Sequence, residues 1–170
     1  MRFGLAVLIM LMPVLNSCLH PEAGAGRKLQ LHTRLLDRGL QSDRFDHTPA
    51  ATWISDMDYL KRIYERLKKS TLADARAEIP TLDFCHEGAL LVEMGQKPTG
   101  GYQLEMNKEL FFISNGTAEV NLSWIEPPQG AILPQVITSP WILIALPRGG
   151  YSLITIRDQD GQIKVQVIVK

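Results

Sequence analysis

The residues with the most obvious chemistry are Cys85 and His86, side by side in "DFCHEG". A thiol beside an imidazole is the material of thiol catalysis, in which the histidine takes the proton and the thiolate attacks. The spacing argues against that use. In an extended segment adjacent side chains point to opposite faces, so His86 would face away from the sulfur it should activate. His86 with His32 or His47 offers imidazoles to a metal, but the separations match no ligand spacing, and no metal is expected. "DQDG", Asp158 to Gly161, opens like a calcium loop. The acidic residue required at the twelfth position is Val169, so a hairpin turn is expected instead. Asn115-Gly116-Thr117 and Asn121-Leu122-Ser123 match the glycosylation sequon and read better as a turn and a strand surface. The chain has no Gly-x-Ser-x-Gly elbow and no phosphate-binding glycine loop. A binding or structural role is expected rather than an enzymatic one, without a cofactor.

Recognition chemistry is better represented, in "GQKPTGGYQLEM", Gly95 to Met106. Pro98 fixes one φ angle, and Gly100 and Gly101 permit positive φ. Thr99 can bond back to the loop backbone. Two adjacent glycines also let another backbone approach closely. Tyr102 adds an amphipathic ring of a type enriched at interfaces. Two readings stay open: a tight turn between strands, or a loop built to touch a partner.

The elements that must position this loop are mostly strands. Lys28 to Leu36 alternates as a first strand, and Asp37 to Ala50 reads as a loop with room for a short strand. The spacing of Met57, Leu60, Ile63, Tyr64 and Leu67 predicts a helix over about 55–69, with Ser55 as its cap. "STLADARAEIP" adds at most a short turn of helix, stopped at Pro80. Strands are then expected over Gly88–Met94, from Tyr102, on both sides of an Asn115-Gly116 turn, over "WILIALP", and on both sides of Asp160-Gly161. The expected fold class is α+β: an antiparallel β-sheet or sandwich-like β domain with one main amphipathic helix.

The chain has 170 residues, 18 basic and 18 acidic, and 45% of it is hydrophobic. That suits one domain with a packed core, and the zero net charge gives no reason to expect nucleic acid. The first residues carry an address. Arg2 precedes an apolar run from Phe3 to Leu15, too short to span a bilayer of about 30 Å and of signal-peptide length. The run ends in Leu15-Asn16-Ser17-Cys18, which resembles a bacterial lipobox. On this reading residues 1–17 are a lipoprotein signal peptide, Cys18 is lipidated, residues 18–27 are a tether, and 28–170 form a single domain. Several acyl chains on one cysteine make attachment stable where one would not. Leu19, rather than Asp, follows the cysteine, which by the common bacterial sorting rule points to the outer membrane. Cys85 is then the one cysteine of the mature domain, so the fold is held by its core.

The stretches "LDFCHEGALLVEMGQKPTGGYQLEM" and "IEPPQGAILPQVITSPWILIALPRG" together resemble the C-terminal domain of the PrcB family of protease-complex accessory subunits. The matching positions are Asp83, Phe84, Gly95, Lys97 to Tyr102, Pro128, Gly130, Gln135, Thr138, Pro140 and Trp141, within roughly 80–157. The resemblance implies a lipid-anchored envelope module that associates with and stabilises an exported protein such as a protease. Its contacts would be Lys97, Pro98, Thr99, Gly100, Gly101 and Tyr102, with Thr138, Pro140 and Trp141 as a second element. "KPTGGY" with the later "SPW" is also similar to the loops of chagasin-like inhibitors of cysteine proteases, with Arg148-Gly149-Gly150 as a distant third. That implies protease inhibition as an alternative. A purely structural envelope lipoprotein is the other.

Overall fold

The computed structural model describes residues 29–69, 78–106 and 110–170. The signal peptide, Cys18, the tether and most of the short turn after the helix lie outside the described residues. In chain order the elements are β1 (Leu29–His32), β2 (Arg34–Gly39), β3 (Ala50–Ile54), α1 (Met57–Lys69), β4 (Glu87–Glu93), β5 (Gln103–Met106), β6 (Leu110–Ser114), β7 (Thr117–Ile125), β8 (Trp141–Pro147), β9 (Leu153–Arg157) and β10 (Ile163–Ile168). One sheet has the order β1-β6-β7-β9-β10, with β5 also pairing β7; the other has the order β2-β8-β4-β3. The class is α+β and sandwich-like.

The burial pattern shows why the two sheets differ in sequence. β4 and β8 read as unbroken apolar runs because their sheet is the middle layer. Leu90, Val92, Ile142, Ile144 and Leu146 point into a core shared with Phe111, Val120, Leu122, Ile154 and Ile156 of the larger sheet. Their neighbours Ala89, Leu91, Trp141, Leu143 and Ala145 point the other way, onto Leu60, Ile63, Tyr64 and Leu67 of the helix. β7 has a core on one side and water on the other, so Ala118, Val120, Leu122 and Trp124 are buried in alternation with more exposed residues.

Four expectations are corrected. The segment expected as one strand breaks at the buried Thr33: β1 pairs β6 in one sheet and β2 pairs β8 in the other. A chain that serves both sheets must turn at their common corner. β2 also reaches Gly39, inside the stretch read as a loop, and Ala50–Ile54 adds an edge strand against β4. The larger sheet is not wholly antiparallel, since β7 and β9 run parallel. Between them the chain crosses to the middle layer as β8 and returns, which restores its direction. Finally, the helix is capped by Asp56, not Ser55: the Tyr59 N–H donates to Asp56 Oδ1 at 2.7 Å. The Asn115-Gly116 turn is as expected, with both residues at positive φ (50° and 73°) between β6 and β7.

Candidate functional site

β4 ends and β8 begins at the same end of the middle layer, and the two loops singled out by the sequence meet there. Lys97 N–H donates to Thr138 O at 2.7 Å, and Thr138 N–H donates back to Lys97 O at 3.0 Å. The Thr138 hydroxyl donates to Thr99 O at 2.9 Å, and Gly100 N–H donates to Pro134 O at 3.2 Å. The glycine loop is thus bonded backbone to backbone with the long connection between β7 and β8.

The two glycines have different tasks. Gly101 sits at φ 89°, and a Cβ there would lie 3.0 Å from Pro127 Cβ and 3.3 Å from Leu133 Cδ2. It needs both the left-handed backbone and the space. At Gly100 a Cβ would meet Pro134 at an ordinary 3.6 Å. The cleared room is filled by this chain's own connection. Pro98 is exposed, Lys97 Nζ lies 5.6 Å from the centroid of the Tyr102 ring, and Tyr102 is half-buried against the core between the sheets.

The second element goes inward. Thr138 and Pro140 are buried, and Pro140 O accepts from Met94 N–H at 2.8 Å. Trp141 is 2% exposed; its indole N–H donates to Gln41 O at 2.8 Å and its ring lies against Gly39, leaving no room for a Cβ there. Trp141 belongs to the helix-side core and Tyr102 to the core between the sheets. The structure therefore brings Lys97 and Thr138 together but sends the two aromatic rings into different layers.

A third loop, 40–48, completes this end, with little sign of its role in residue pattern. Ser139 N–H donates to Leu40 O and Gln96 N–H to Asp46 O, both at 2.8 Å. The Gln41 side chain donates to Ile137 O at 2.8 Å, and Ser42 and Ser139 share a hydroxyl bond at 2.9 Å. Gly95, at φ 78°, lets the backbone of His47 and Thr48 pass so close that a Cβ would lie 2.6 Å from His47 O. Within the loop the Thr48 N–H and hydroxyl, and then Arg44, hold the Asp46 carboxyl below its ordinary range. A groove of about 240 Å³, lined by Arg38, Gly39, Leu40, Gln103, Leu104 and Trp141, runs beside the cluster. The only signal for this third loop lay in Leu40 and Phe45, large apolar residues in an otherwise polar stretch.

Cys85 and His86 are not extended, as expected, but lie in an exposed turn before β4. The turn closes on Asp83, whose Oδ2 lies 2.6 Å from His86 Nδ1 and whose Oδ1 accepts from Cys85 N–H at 3.0 Å. These bonds hold the Asp83 carboxyl below its ordinary range, the His86 contact contributing most. Asp158 likewise uses Oδ1 to accept the N–H groups of Asp160 and Gln162 at 3.0 and 2.8 Å, which makes "DQDG" a turn. Among the described residues no group of three or more His, Cys, Asp or Glu side chains could hold a metal. Arg148-Gly149-Gly150 follow the end of β8, whereas Thr138 to Pro140 precede its start, so that triplet lies at the far end from the glycine loop. Arg148 is tied there to Glu87 O and Ser55 O.

The architecture is that of a layered sandwich domain with three mutually bonded loops at one end. Residues 89–147, which run from β4 to the end of β8 and include both loops, match the family described as PrcB C-terminal. Comparisons with curated proteins and with solved structures give no match.

Proposed function

We propose that this protein is a lipid-anchored envelope binding module that associates with and stabilises an exported protein, a protease being the partner class the matched family suggests. The observation that carries the reading is the reciprocal Lys97–Thr138 bridge, which fuses the two patterned loops of the family segment into one end of the molecule. Burial supports a division of parts between them. Pro98, Gly101 and Tyr102 reach the surface, while Thr138, Pro140 and Trp141 fix the loops from below. Rigid loops suit recognition, because little side-chain and backbone freedom is left to lose on binding. Anchorage would come from lipid on Cys18, with the outer membrane as the expected location. Replacing Cys18 with Ser should move the full-length chain from the membrane to the soluble fraction.

The stabilising role is tested by co-purifying the full-length chain from detergent-solubilised envelopes. The half-life of the exported protein that accompanies it is then measured with and without the chain. A half-life shortened several-fold by deletion supports the proposal, and an unchanged half-life contradicts it.

A further inference from the structure

The loop end exposes large apolar side chains. Ile132 is 103% exposed, Ile137 57%, Val136 47%, Leu40 53% and Phe45 83%. Isolated exposed apolar residues are ordinary, but these lie on two loops that are bonded to each other. Gln41, next to Leu40, holds Ile137 O, and Ser139 N–H holds Leu40 O. Pro134, within the aliphatic segment, accepts from Gly100 N–H, and Val136 N–H closes back on Pro134 O at 2.8 Å. The segment is therefore held in place, although it forms no strand or helix.

Among the described residues, several charged side chains at this end are paired within the chain. Arg44 pairs with Asp46 at 3.0 Å, Asp43 with Arg66 at 3.0 Å and Arg38 with Glu105 at 3.2 Å, and Lys97 lies over Tyr102. Glu126 stands exposed at the end of β7. An apolar centre with a largely self-paired rim complements an apolar surface of low charge. Among the described residues it offers no unpaired cationic cluster to an anionic lipid headgroup, which interfacial membrane binding uses.

Resting on the reading that the loop end binds a protein, we infer that the contact itself is made by Ile132, Val136 and Ile137 with Leu40 and Phe45. They would seat in an apolar cleft of low charge on the exported partner, and the glycine loop is the scaffold beneath them. Central apolar anchors with a polar rim are the usual anatomy of such contacts.

The test places a photocrosslinking amino acid at Ile132, Ile137 or Phe45 of the full-length chain in its envelope. Gln166 and Asn121, exposed on the far sheet, serve as comparison positions. The expected result is one protein adduct from the loop positions and none from the far sheet. The adduct partner is then purified, and its affinity for the chain is measured. Ile132→Glu with Ile137→Glu should weaken it at least tenfold while leaving the melting temperature unchanged. An unchanged affinity overturns the inference and leaves the binding reading standing. No protein adduct at any position overturns both. An adduct with a second copy of the chain alone overturns the inference, as does flotation with phosphatidylethanolamine/phosphatidylglycerol vesicles that depends on Ile132 in the absence of a protein adduct.

Discussion

Two glycine turns bracket β7, and they differ in what surrounds them. Before the strand, Gly116 sits at φ 73° with nothing within 4 Å of where a Cβ would be. Beyond its other end, Gly101 sits at φ 89° under Pro127 and Leu133. The first glycine only lets the chain reverse. The second also lets a neighbouring loop lie on it. A glycine's backbone angle therefore says nothing of its neighbours; an open turn is a hairpin device, whereas a covered one is part of an assembled surface.

The comparison can be broken or sharpened from several sides. The largest effect should come from beneath the covered end. Trp141→Ala removes a buried ring and its bond to Gln41, and should cost about 3–5 kcal/mol in a denaturant titration. It should also loosen loop 40–48 in hydrogen exchange. Next, Gly101→Ala forces a side chain into left-handed backbone and against Pro127, with an expected loss of about 2–3 kcal/mol. Gly116→Ala carries the backbone term alone, about 1 kcal/mol. Equal losses at the two glycines would break the comparison. Gly100→Ala should lie within about 0.5 kcal/mol of the parent, because its new methyl meets Pro134 at ordinary contact.

The smallest effect concerns acid. Burial raises the Asp37 carboxyl, but its bonds to Lys68 and Tyr64 outweigh that and leave it below the ordinary range. Lys68 also lies over the Trp141 ring, so this pair braces the same end. A lowered carboxyl stabilises the fold above its unfolded value, near pH 4, and that share is lost as pH falls through the folded value. Melting temperatures of parent and Asp37→Asn should therefore differ at pH 7 and converge at the acid end.

Much of the fold was legible in local pattern. The helix stripe, the unbroken run of β8 and the Asn115-Gly116 turn each announce themselves over a few residues. What stayed hidden depends on distant partners. Nothing within "KLQLHTRLL" marks Thr33 as the corner between two sheets, because β6 and β8, which claim its two sides, lie far along the chain. Asp56 displaced Ser55 as cap by one position, a shift that two adjacent capping residue types do not reveal. At the candidate site the glycine loop was visible as a motif, but its cover was not. Trp141 looked like a contact from its place after Ser139-Pro140, yet strand alternation turns it onto the helix side, where Gly39 makes room for the ring. What loop 40–48 touches was not legible because its bonds, through backbone and through the Gln41 and Ser42 side chains alike, go to residues far along the chain.

The central claim is that the glycine loop scaffolds an apolar contact surface on the neighbouring loops. The most direct measurement is the dissociation constant of the purified exported partner for the parent chain and for the Ile132→Glu, Ile137→Glu double variant, with melting temperatures taken alongside. At least tenfold weaker binding by an equally stable variant is the predicted result. Equal affinity of the two proteins would contradict it.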